Sequence, residues 1–342
     1  MSIVSRQYFL NSAFQIDYTM EEIRWGIIGC GDVTEVKSGP AFNKVANSKL
    51  VAVMRRDSTK AADYAKRHNV PKWYDNAAQL INDPEVNAIY IATPPLQHEA
   101  YTIEALQAGK PVYVEKPMTL SANAAQRMTD AANQLKIKLC VAHYRRAQPM
   151  FLKVKELLAA HTIGNVRLVR LKMLQPPNPA LIAKTADNWR INPAISGGGL
   201  FHDLAPHQLD LMTYYFGAVK NAMGVATRQQ ENTGVDDLVA GNIHFENGVV
   251  FSGTWCFSVA AQDQADICVI YGSNGNISFP MFGNKVTVTT DQTEEFMFEP
   301  LQHVQQPMIE KVVDYFLGQG RNPCSGEDAL ITMKLMDDFT RK

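Results

Sequence analysis

The chain carries almost no net charge: 33 Lys and Arg residues against 34 Asp and Glu leave a formal value of -1. That balance supplies no global field with which to hold DNA, RNA or an anionic membrane, and leaves only local basic patches for small anions. A disulfide-rich cysteine pattern is missing as well. Cys30, Cys140, Cys256, Cys268 and Cys324 are scattered, form no CxxC pair, and as an odd set leave at least one thiol without an intrachain partner. Reduced thiols in a cytoplasmic protein are the simplest reading. No apolar run approaches the ~20 residues of a membrane-spanning helix. Fixed-period repeats and low-complexity linkers are absent too. Residues 1–22 hold only the short apolar patch Tyr8-Phe9-Leu10 and no paired arginines, so they read as an N-terminal arm rather than an export signal.

What is present is an ordinary globular composition, 46% hydrophobic and 20% charged, over a length of 342 residues that favours two domains. Strand candidates at Ile23–Ile28, Leu50–Met54, Ala88–Ala92 and Pro111–Val114 alternate with helix candidates at Thr59–His68 and His98–Ala108. Such alternation predicts a parallel sheet covered by helices. Gly29-Cys30-Gly31-Asp32-Val33 follows the first strand, where one glycine permits a tight bend and the other lets a pyrophosphate approach backbone N–H groups. The third fingerprint position holds Thr34 rather than glycine.

At the end of the second strand, where an NAD site commonly carries an acid, the chain reads Met54-Arg55-Arg56-Asp57. Arginine there suits the 2′-phosphate of NADP, with NAD as the alternative cofactor. The same residues also fit a solvated turn with Asp57 capping the next helix. Thr93-Pro94 and Glu115-Lys116-Pro117 follow later strands and are candidates to line the nicotinamide half of the cleft. His98 is a candidate for the same wall, or for ordinary polar packing.

Beyond Tyr144 the pattern changes. A helix candidate at Met150–Ala160 is followed by a strand at Val166–Leu174 and then by several short, hairpin-linked strands between Gly241 and Phe298. A closing helix is predicted over Glu327–Phe339. The pattern predicts an α+β domain with a mainly antiparallel sheet, and a division into an arm (1–22), a Rossmann unit (23–142) and a substrate and oligomerisation unit (143–342). Within the second unit, Gly197-Gly198-Gly199 precedes a helix start containing Asp203, Pro206 and His207. Pro206 is tolerable if it falls in the first turn. Asp203 and His207, four apart, share a face, so that the carboxylate can orient the imidazole and favour its protonated form. Helix capping by Asp203 and plain packing by His207 fit the same spacing. His202, Asp203, His207 and Asp210 are metal-compatible types, but their spacing matches no usual metal motif, and no metal is expected.

Taken in order, GIIGCGDVT, Glu115-Lys116-Pro117 and GGGLFHDLAPHQLD at 197–210 resemble the glucose–fructose oxidoreductase/inositol dehydrogenase (Gfo/Idh/MocA) family from about Ile23 onward. The resemblance implies an N-terminal Rossmann domain, a C-terminal domain built on an open sheet, and dimers or tetramers formed through that sheet. It implies hydride transfer between NAD(P) and a sugar, polyol or related hydroxy compound, with Lys116, Asp203 and His207 as the catalytic set. Asn188-Trp189-Arg190 before the glycines looks like a subgroup of NADP-dependent sugar or anhydrosugar reductases and related dehydrogenases; Trp189 suits an apolar wall and Arg190 a hold on a polar substrate or cofactor group, and both equally suit securing the loop. Tyr144 and Arg146 are further cleft candidates. A fold-retaining NADP-binding regulator is the alternative from another functional class.

Overall fold

The computed structural model describes residues 20–177, 179–180, 189–230 and 234–340. Asn188 and nearly all of the N-terminal arm lie outside them.

Six strands, β1 (Ile23–Ile28), β2 (Ser48–Met54), β3 (Lys72–Tyr74), β4 (Ala88–Ile91), β5 (Val112–Val114) and β6 (Leu139–Val141), form one sheet in the order β3-β2-β1-β4-β5-β6. All of its pairs are parallel. The central strands are apolar almost throughout because helices cover both faces; every residue of β4 and β5 is buried. Helices α1 (Asp32–Glu35), α2 (Ser58–Arg67), α3 (Ala77–Ile81), α4 (His98–Gln107) and α5 (Ala122–Leu135) make the connections. Three start on side-chain caps, Asp57, Asn76 and Ser121, each accepting a backbone N–H of its own first turn. The order reverses between β1 and β4, which opens a crevice beyond their carboxyl ends.

The second sheet has eight strands: β7 (Val166–Leu174), β8 (Val219–Thr227), β9 (Leu238–Phe245), β10 (Val250–Cys256), β11 (Ala265–Gly272), β12 (Asn276–Phe279), β13 (Lys285–Thr289) and β14 (Thr293–Met297). Their order is β14-β13-β12-β11-β7-β10-β9-β8, antiparallel except where β10 meets β7. Alternation on β7 buries Val169, Leu171 and Met173 and exposes Arg170 and Lys172, so only one face of this sheet is covered. The cover comes from α6 (Pro149–Ala159), α8 (Leu200–Phe216) and α10 (Gly326–Thr340), whereas α7 (Pro193–Ser196) precedes α8 and α9 (Gln306–Phe316) packs on the first domain, with Phe316 and Trp25 ring centroids 5.6 Å apart. Phe201 of α8 packs edge-on against Trp255, ring centroids 5.2 Å apart, and Trp255 donates to Gln208 Oε1 at 2.6 Å. Each such fully buried aromatic contributes on the order of 2–3 kcal/mol, which fixes α8 to the sheet.

The closing helix forms where the sequence predicts it, but it also packs back on the first domain. Asp337 of α10 accepts from Ala122 N (2.8 Å), and Cys324 O accepts from Val141 N (3.0 Å). Pro206 falls in the second turn of α8 rather than the first, and the helix runs on past it to Phe216. No helix among the described residues is long and apolar enough to cross a membrane. All five cysteines are free and buried, and burial pushes the Cys140 thiol up to about 12.

Candidate active site

At the switch point, Gly29 ends β1 with φ +94°, and a Cβ there would sit 2.7 Å from Thr93 Cγ2 and 2.8 Å from Thr93 N. Only glycine lets the turn after β1 close against the turn after β4. Around Gly31 an added Cβ would meet only Gly29 O, at 4.0 Å. Gly29 N and Cys30 N both donate to Met54 O, at 2.9 and 3.1 Å, so these two amides hold the turn rather than face a ligand. The N–H groups left for an anion are those of Gly31, Asp32 and Val33, at the start of α1. This cradle, with the buried and unpartnered hydroxyl of Thr93 beside it, fits a dinucleotide pyrophosphate.

Thr34 replaces the third fingerprint glycine without opening the turn, because its hydroxyl donates back to Gly31 O at 2.8 Å. Arg55 is half-buried and donates from Nη1 to Cys30 O (3.2 Å), which brings its guanidinium to the edge of the same turn. Arg56 is exposed beside it. Asp57 caps α2 by accepting from Lys60 N, which accounts for the acid after the arginines.

His98 does not line a cleft. It is fully buried, with Nδ1 3.0 Å from Pro117 O and Nε2 2.7 Å from Thr93 O, and ties the Thr93-Pro94 turn to the Lys116-Pro117 turn. Glu115 is also an anchor. Tyr90 and Gln305 donate to its Oε1 at 2.6 and 2.5 Å, while Oε2 accepts from Lys116 N at 3.1 Å. Sequence reasoning missed Tyr90 and Gln305. A tyrosine inside an otherwise apolar strand needs a buried partner, and that was the available signal for Tyr90. Gln305 has none, being brought in by the tertiary fold from 190 residues away.

Lys116 projects from the end of β5 to α8, where Nζ donates to Asp203 Oδ1 (2.8 Å) and Asp203 O (2.9 Å). Arg190 Nε donates to the other oxygen, Oδ2, at 2.8 Å. Burial works to raise the Asp203 carboxyl, but the Lys116 and Arg190 charges outweigh it and hold it at about 2. Burial would lower Lys116, yet Asp203, Tyr144 and Glu115 leave its ammonium raised above the ordinary value. Lys116 is therefore a firmly held cation.

His207 lies one helical turn beyond Asp203 but does not pair with it, because both Asp203 oxygens are engaged by cations. This corrects the expected carboxylate–imidazole pair. Burial first, then the charges of Lys116 and Arg145, push His207 well below its ordinary value, so the ring is neutral rather than held protonated. Its Nδ1 makes no hydrogen bond, and the edge-on ring of Tyr144 packs at 4.9 Å.

One further turn along, Asp210 takes three bonds of 2.8–3.1 Å from Arg146, which places Arg146 in a buried ion pair rather than in a cleft wall. His143, Asp210 and Cys324 bring ligand-type atoms within 4.8 Å of one another. A cation there would have to displace the Arg146 guanidinium, and burial pushes both His143, to about 4, and the Cys324 thiol toward their neutral forms. The cluster works as an ion-paired seam between the domains. Trp189 lies under the Arg190 guanidinium at 4.6 Å and is half-buried.

Residues 23–143 match the model of the GFO/IDH/MocA oxidoreductase family with an NAD-binding Rossmann fold, and residues 151–278 match the GFO/IDH/MocA C-terminal domain. The chain is 49% identical to an oxidoreductase of Formosa agariphila over 93% of its own length and 98% of that protein. It is 30% identical to the trans-1,2-dihydrobenzene-1,2-diol dehydrogenase of Bos taurus, over 81% of each. The aldose-aldose oxidoreductase of Caulobacter crescentus shares the fold, with a TM-score of 0.82 at 20% identity, covering 94% of this chain and 97% of that one.

Proposed function

From the premise that the chain belongs to the GFO/IDH/MocA family of NAD(P)-dependent oxidoreductases, we propose that it transfers hydride between NADP and a secondary alcohol or carbonyl of a sugar-like, polyol or cyclic hydroxy substrate. The observation that carries this is the Lys116–Asp203 pair, 2.8 Å long, at the carboxyl end of the parallel sheet and one helical turn from neutral His207. When bound, NADP supplies the hydride acceptor or donor. Gly31, Asp32 and Val33 would hold its pyrophosphate, Arg55 with Arg56 its 2′-phosphate, and Thr93 and Pro94 the inner wall. The dihydrodiol dehydrogenase relative and the aldose oxidoreductase fold match support the substrate class.

In the oxidative direction the neutral His207 ring accepts the hydroxyl proton, and the Lys116 ammonium hydrogen-bonds the reacting oxygen and opposes its growing negative charge. Asp203 is a positioning residue for Lys116. In reduction His207 returns the proton. Residues 23–142 would carry the cofactor and 143–342 the substrate. The exposed apolar side chains Met223, Val225, Ile267 and Tyr271 on the open sheet support a homodimer or homotetramer, and the buried free thiols support a cytoplasmic location.

The test is kinetic: oxidation of NADPH and of NADH across a panel of sugar-like carbonyl compounds, for the wild type and Arg55→Ala. The reading expects turnover with a preference for NADPH that drops about tenfold or more in the variant. An unchanged preference removes Arg55 from cofactor choice, and no turnover across the panel favours a binding protein over an enzyme.

A further inference from the structure

Asp203 is a single carboxylate between two cations. Lys116 takes Oδ1 and Arg190 takes Oδ2, both at 2.8 Å, and all three side chains are only 12–15% exposed. In such a site, sharing an anion weakens its hold on each partner, because the interior screens charge poorly. A carboxylate facing Lys116 alone would largely cancel the ammonium field that a reacting oxygen feels. With Arg190 on the second oxygen, the three groups carry one net positive charge.

We infer that Arg190 is a positioning residue that competes with Lys116 for Asp203 and so keeps the Lys116 ammonium electrostatically available to the reacting oxygen. The inference rests on the proposed role of Lys116. Arg190 is placed for it by the 3₁₀ turn Trp189–Ile191, which leads into α7, and by its stack on Trp189. Among the described residues, the other charged or titratable groups around Lys116 include Glu115 beside it, Tyr144 and His143 from the segment after β6, and His207 on α8. Glu115 is already engaged by Tyr90 and Gln305, and Asp210 by Arg146. Among the described residues, Arg190 is therefore the second cation set directly on the Lys116 counter-ion.

The test reads the Lys116 pKa without substrate or turnover, by competitive acetic anhydride labelling and mass spectrometry across pH, in wild type, Arg190→Gln, Arg190→Met and Arg190→Lys. Circular dichroism confirms that each variant is folded. Removing the arginine charge should raise the Lys116 pKa by about 1 pH unit and lower kcat ~10–100-fold with a smaller change in KM. Arg190→Lys should restore both in large part. An unchanged or lowered Lys116 pKa in the folded neutral variants overturns the inference and assigns Arg190 to anchoring the turn. That result leaves the proposed reaction standing, whereas failure of the reaction itself would show as absent turnover in the wild type.

Discussion

Asp203→Asn keeps the shape of the side chain and removes its charge, leaving Lys116 and Arg190 on a neutral amide. The carboxyl is held at about 2 against an ordinary 3.8. The difference, 3.8 − 2, at ~1.4 kcal/mol per pH unit, corresponds to roughly 2.5 kcal/mol of folding stability at neutral pH. Breaking a buried ion pair from one side costs on the order of 3–5 kcal/mol, so the expected loss is about 2–4 kcal/mol. Because the folded-state value is depressed, this stabilisation is fully present above the unfolded-state value near 4 and fades as the pH falls toward 2. Urea denaturation followed by circular dichroism should show the full gap between wild type and variant at pH 7 and roughly half of it by pH 3. A variant within ~0.5 kcal/mol of wild type at pH 7, or a gap independent of pH, would refute the reasoning.

The neutral state of His207 sets a second expectation. The acid limb of kcat/KM for alcohol oxidation should lie below pH 6.5, since the proton-accepting form persists until the pH reaches its lowered value; a limb at or above 6.5 contradicts it. Gly29→Val would force a branched side chain into φ +94° and against Thr93, so a loss of about 1–3 kcal/mol and at least tenfold weaker NADPH binding by fluorescence titration are expected. Arg146→Met strands the buried Asp210 carboxylate at a cost of about 3–5 kcal/mol in chemical denaturation, and adding Asp210→Leu should recover most of that loss.

The first domain was largely legible because its strands and turns are encoded locally. The apolar runs of β1, β2 and β4 and the glycines after β1 announce a parallel sheet with a nucleotide turn. The three-residue strands β3 and β6 escaped notice because so short a run carries little periodicity. Lys116 was visible through the turn that ends β5, and Asp203 and His207 through their helical spacing. Their partners were not visible, because spacing gives the shared face of α8 but not the cations that reach it. Lys116 arrives from β5, Arg190 from a separate turn and Arg146 from the segment after β6. The assignments of His98 and Glu115 changed for the same reason: His98 opens α4 and Glu115 follows β5, but burial makes both clamps behind the cleft rather than its surface.

The most direct measurement is a crystal structure with NADP and a sugar-like carbonyl or hydroxy compound that supports turnover. The account predicts the reacting oxygen within hydrogen-bond reach of both Lys116 Nζ and a ring nitrogen of His207, with its carbon facing the nicotinamide. A productive complex in which that oxygen meets neither side chain would contradict it.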